Sequence, residues 1–125
     1  MVQRSLILFA HGARDPRWAA PFERLRQITQ VRLPEVTVSL AFLEFMQPSL
    51  PGLIRQLVAD GDHDATVVPV FLGQGGHVLR DLPAMVEQLR KDYPGLSLKV
   101  ADAVGENAEV LNAIAQYCAG SLSHE

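Results

Sequence analysis

Two histidines and one glutamate are the residues of this chain best suited to divalent-metal chemistry. His11 lies in Ala10-His11-Gly12-Ala13-Arg14-Asp15, and His77 in Gly73-Gln74-Gly75-Gly76-His77-Val78-Leu79-Arg80. Each stands where an apolar run gives way to a polar helix start. Glu44 lies thirty-three positions from both. Two imidazoles and a carboxylate brought to one edge could make a divalent-metal site. The interval is, however, simply the length of an ordinary βαβ step, so the spacing speaks first for a repeating fold. Glu44 sits between Phe42-Leu43 and Phe45-Met46, and a carboxylate among such neighbours is expected to be paired, protonated or ligating.

The elements that must position these residues follow from periodicity. Ser5 to Ala10 is a continuous apolar run, as expected of a strand covered on both faces of a parallel sheet. From about Arg17 to Arg32, Trp18, Phe22, Leu25, Ile28 and Val31 recur at helical spacing, and Pro34 closes that helix. Val36 to Phe42 reads as a second strand. Ser49 followed by Pro51 opens a second helix that runs to Gly61. Ala65 to Leu72 is the third strand, although Pro69 counts against a central position. A third helix is expected from about Arg80 to Lys91, a fourth strand from Leu96 to Ala101 and a fourth helix from Asn107 to about Ala119, with Gly120 to Glu125 fraying.

This β-α-β-α-β-α-β-α order predicts an α/β fold, a three-layer α/β/α sandwich with a four-stranded parallel sheet and flavodoxin-like winding. Ligands of such sheets gather beyond the carboxyl ends of the strands, at the switch point. His11, Glu44 and His77 follow strands one, two and three. A strand order of 2-1-3-4 would make the two histidines neighbours across that point.

Composition narrows the function. At 125 residues, with 48% hydrophobic and 20% charged residues, the chain reads as one globular domain, residues 1 to 125. A net charge of -3 gives no reason to expect nucleic acid. No run is long enough for a membrane span, and the first apolar run is too short for a signal peptide, so a soluble cytoplasmic protein is expected. One cysteine, Cys118, allows neither an intrachain disulfide nor a thiolate cluster. Among Ile114, Ala115 and Ala119 it reads as a core thiol. His63 reads as a solvated loop residue, and His124 lies in the tail.

Several chemistries drop out. There is no Gly-x-Ser-x-Gly elbow and no Walker lysine, and the glycine-rich turn lacks the third glycine of the dinucleotide fingerprint. Ala10 stands where phosphohistidine phosphatases carry arginine before the histidine-glycine pair.

Leu6 to Asp15, Ala41-Phe42-Leu43-Glu44 with Pro48-Ser49, and Val68-Pro69-Val70-Phe71-Leu72 through Gly75-Gly76-His77-Val78 with Asp81-Leu82-Pro83 together resemble the CbiX/SirB sirohydrochlorin chelatases. These are class II chelatases, and the length is similar to their short, single-domain form. The resemblance implies a lyase that inserts Co²⁺ or Fe²⁺, or Ni²⁺ in one branch, into a tetrapyrrole on the route to cobalamin or sirohaem. It implies His11, His77 and Glu44 as metal-binding and catalytic positions, with the metal as substrate and no organic cofactor. It also implies a homodimer.

The resemblance gives the surrounding residues a role. A polycarboxylate macrocycle calls for basic groups, and Arg14, Arg17 and Arg80 follow the two histidines. Gly73, Gly75 and Gly76 would let backbone approach the ring plane. Two other classes stay open: a two-histidine, one-carboxylate metalloenzyme for another substrate, and a non-catalytic metal or tetrapyrrole carrier.

Overall fold

Short apolar stretches alternating with amphipathic ones pair most simply as parallel strands joined by helical crossovers. The computed structural model has that form; it describes residues 3–73 and 75–124, with the backbone alone at positions 76, 77, 79, 123 and 124. Strands β1 (Arg4–Ala10), β2 (Thr37–Phe42), β3 (Asp64–Pro69) and β4 (Ser97–Val100) alternate with helices α1 (Ala20–Arg32), α2 (Leu50–Ala59), α3 (Gly76–Asp92) and α4 (Ala108–Gly120). The sheet is parallel throughout, in the order β2-β1-β3-β4.

Because winding reverses between β1 and β3, right-handed crossovers put α2 and α3 on one face and α1 and α4 on the other. The first face is packed. Ile7, Phe9, Val67 and Leu98 of the strands meet Ile54, Leu57, Val86 and Leu89 of α2 and α3 in one buried cluster. The second face is only partly closed: neither α1 nor α4 has a fully buried residue. At the amino edge of the sheet Ser5 Oγ donates to Asp62 Oδ2, so the buried carboxylate is not left unpartnered.

Local signals explain the starts of α2 and α4. Ser49 Oγ accepts the Gly52 amide at 3.2 Å, with a proline in the first turn of α2. Asn107 caps α4 in the same way, accepting the Val110 amide at 3.1 Å. Removing the α2 cap with Ser49→Ala should lower unfolding free energy by about 1 kcal/mol. A shifted urea midpoint at constant m-value would report it; an unchanged midpoint would show that the cap is dispensable.

Several expectations need correction. Helix α3 begins at Gly76, not near Arg80, because Val78, only 1% exposed, is the first of a stripe with Leu82, Val86 and Leu89 that reaches the core. The glycine-rich turn hid the first member of that stripe. Pro83 lies on the exposed side of α3, where a carbonyl freed by the missing amide can be hydrated.

Strand β3 is central despite Pro69, and it ends there instead of at Leu72. The Val70 amide donates to Phe9 O of β1, so the alternating ladder turns the Pro69 nitrogen toward β4, whose pairing has already ended at Val67 opposite Val100. No donor is needed there. Strand β4 is also shorter than Leu96 to Ala101.

Cys118 is exposed, not in the core, because α4 rests on the open face. Where fraying was expected, α4 includes Gly120 and a 3-10 turn covers Ser121–His124. His63 is exposed, as the sequence suggested. Among the described residues no helix is long and apolar enough to cross a membrane.

Candidate active site

The carboxyl edge of the sheet keeps its register for one step beyond the strands. Leu43 donates to Ala10 O at 2.8 Å and Val70 to Phe9 O at 2.7 Å. The chain segments after β1, β2 and β3 therefore leave the sheet side by side, and they carry His11, Glu44 and the Phe71 to Gly73 stretch.

Gly12 locks the first two segments together. A Cβ built on Gly12 would lie 1.5 Å from Glu44 O, an approach that no side chain permits. The glycine beside His11 thus serves backbone packing, not ligand access. On the third segment, Gly105 is pressed against Leu72 O in the same manner, its built Cβ 2.0 Å away.

The His11 imidazole is partly buried and lies against the Phe71 ring, centroids 4.4 Å apart and planes at 34°. Its own carbonyl accepts the Trp18 indole N–H at 2.8 Å. Backbone and ring are thereby both restrained, while among the described residues neither ring nitrogen has a hydrogen-bond partner. An imidazole oriented by its face and free at its nitrogens can ligate a metal or take a proton.

Glu44 departs from expectation. Its side chain is exposed, and among the described residues it forms no ion pair. Phe42 is buried and Leu43 packs on the core, but the chain then turns at Phe45, which has φ 66° and is itself 60% exposed. Apolar residues adjacent in sequence are not adjacent in space here. The carboxylate is free to meet an ion at the edge.

His77 is the second residue of α3, two positions after the Gly75 cap residue. Its side chain, like Gln74, lies outside the described residues. Its backbone nevertheless follows the strand next to β1, so the helix start and the His11 loop share the switch-point edge. Among the described residues no group of three His, Cys, Asp or Glu side chains forms a ready metal cluster.

The basic residues divide by commitment. Arg17 is tied to Asp15 at 2.7 Å, and its guanidinium and backbone N–H hold the Asp15 carboxyl below its usual range. Arg80 contacts Asp81 at 3.3 Å. Arg14 has no acidic partner among the described residues; its guanidinium lies 5.0 Å from the centroid of the Phe45 ring. Gly73 has open space where a Cβ would stand, and Gly75 is exposed.

Beside His11, between α1 and α4, lies an apolar hollow of about 590 Å³ whose walls include Trp18, Phe22, Phe71, Val110 and Ile114. The sequence offered Trp18 and Phe71 only as parts of a helix and a strand. Their role at His11 arises from contacts across the fold, for which no local signal exists.

The chain is similar in sequence and fold to known proteins. The family model described as CbiX matches residues 5–120. The sirohydrochlorin cobaltochelatase of Priestia megaterium is 28% identical over 86% of this chain but only 35% of its own length. That of Methanocaldococcus jannaschii is 30% identical over 71% of this chain and 62% of its own. The chain thus spans about a third to three fifths of the curated relatives it first matches. Among solved structures, a CbiX protein from Marinobacter aquaeolei has a TM-score of 0.85 at 32% identity, covering 98% of this chain and 99% of its own. The SirB chelatase of Bacillus subtilis, crystallised with cobalt, shares the fold with a TM-score of 0.77 at 19% identity, over 49% of its chain.

Proposed function

The chain belongs to the CbiX family, and from that premise we propose that it is a sirohydrochlorin chelatase, inserting Co²⁺, Fe²⁺ or Ni²⁺ into a tetrapyrrole for cobalamin or sirohaem synthesis. The observation that carries this reading is the pinned switch-point edge, where Gly12 against Glu44 O holds the His11 and Glu44 segments together. A metal brought there meets an oriented imidazole and a free carboxylate.

Insertion exchanges one divalent ion for two pyrrole N–H protons. The bases must therefore accept two protons as the ion leaves its water shell. His11 and His77 are assigned ion capture and proton acceptance, and Glu44 helps hold the ion or passes protons outward. Arg14 is the basic residue best placed for a peripheral carboxylate, since Arg17 and Arg80 already have acidic partners. Gly73, Gly75 and Gly76 are assigned to the approach of the macrocycle.

Residues 1 to 125 act as one chelatase domain in the cytoplasm, with a second copy of the chain as partner. Two features support that partner. The face of α1 and α4 exposes Ile28, Val31, Ile114 and Tyr117, the last 79% accessible. The SirB chain, of which this chain covers 49%, has room for a second unit of similar size. Sedimentation at micromolar concentration should give twice the chain mass.

The deciding experiment mixes sirohydrochlorin with each ion and follows absorbance. Enzyme-dependent metallation with at least one of them is expected. No acceleration with any divalent ion would sink the chelatase, and binding without turnover would favour a carrier.

A further inference from the structure

Phe45 stands out at the carboxyl edge. A phenylalanine with φ 66° occupies the left-handed region, which glycine enters freely and side-chain-bearing residues other than asparagine and aspartate rarely do. The Met46 amide also donates to Glu44 O at 2.8 Å across it, which makes the segment a γ-turn of positive φ, the rare and strained form. The strain is not relieved by burying the ring, which stays 60% exposed. A local sequence free to relax would place glycine here. Strain retained at an exposed aromatic next to a candidate ligand residue points to a use for the ring.

The ring has one defined neighbour of opposite character. The Arg14 guanidinium lies over it at 5.0 Å from the centroid, and among the described residues Arg14 has no carboxylate to answer it. The contact joins the loop after β1 to the loop after β2, on either side of the Gly12 lock. It holds a cation beside an aromatic surface at the rim of the site.

We propose that Phe45 and Arg14 form a two-part recognition element for a flat aromatic polycarboxylate. The exposed ring surface of Phe45 stacks on the macrocycle, and Arg14, steadied by that ring, pairs with a peripheral carboxylate. Phe45 contributes substrate binding and orientation, not proton transfer. The inference rests on the chelatase reading, since it presumes a tetrapyrrole at this edge.

The test is a fluorescence titration of metal-free sirohydrochlorin with the full chain and its variants, beside thermal unfolding of each. Phe45→Gly should weaken binding about tenfold while leaving the unfolding midpoint equal to or above the parent's, because glycine accepts positive φ without strain. Phe45→Tyr should bind like the parent. Arg14→Ala should weaken binding of the free acid but not of its methyl ester, which has no carboxylate to pair. Parent-like affinity in Phe45→Gly would overturn the inference and leave the chelatase reading standing. A parent protein that binds no tetrapyrrole would overturn both.

Discussion

His11→Ala should reduce kcat/KM for metal insertion by roughly 100-fold or more while the tetrapyrrole still binds. Imidazole would serve as both ion ligand and proton acceptor, and alanine does neither. The effect should concentrate in turnover, because the elements that would grip the macrocycle, Arg14, Phe45 and the glycine turn, are separate from the His11 ring. Stability should change far less than activity. The imidazole is only partly buried, and its neighbours Phe71 and Trp18 have other attachments: Phe71 is a core residue, and Trp18 meets the His11 carbonyl, which alanine keeps. Initial rates at saturating Co²⁺, with circular dichroism melts of both proteins, measure the two effects. A variant that metallates within about threefold of the parent would remove His11 from the mechanism.

Among the described glycines, Gly12→Ala should be the most damaging. Its Cβ would arrive 1.5 Å from Glu44 O, inside a contact of two backbones where no side chain can rotate away. The Glu44 oxygen is itself held by the Met46 amide, and the loops on both sides are anchored by ladder bonds from Leu43 and Val70. One loop must therefore move. Overpacking of this kind costs on the order of 1–3 kcal/mol or more. Activity should fall further than stability explains, because the shift separates His11 from Glu44. Urea denaturation measures the first effect, and metallation under conditions where the variant is fully folded measures the second. Parent-like values in both would mean that the edge does not depend on this lock. Gly73→Ala is the contrast, since its built Cβ meets nothing within 4 Å, and no loss of stability is expected.

Much of the fold was legible because its signals are local. Continuous apolar runs, a serine and an asparagine cap, and prolines after helix ends mark elements without reference to anything distant. The failures share a cause. Helix α3 was read as starting late because a glycine-rich turn is a local signal against a helix, whereas Val78 is held by the core. Pro69 was read against a central strand because which neighbour its nitrogen faces depends on where β4 stops. Cys118 was read as buried because apolar spacing on α4 shows which side is apolar, not whether anything covers it.

The order of strands and helices, the edge to which His11, Glu44 and His77 belong, and the family were all legible in residue types and motifs. Each depends on residue types at short range or on ordered motifs, and both survive without coordinates. The remaining features emerge only in the folded chain. The structure showed that Gly12 serves the Glu44 backbone, that Phe71 orients the imidazole, that Glu44 is open to solvent, and that Arg14, unlike Arg17 and Arg80, has no acidic partner among the described residues. These are contacts between segments some thirty residues or more apart, or the choice among several nearby partners. Both are set by how close two backbones come, a distance that is written in the packing of the whole sheet and in no single stretch of chain.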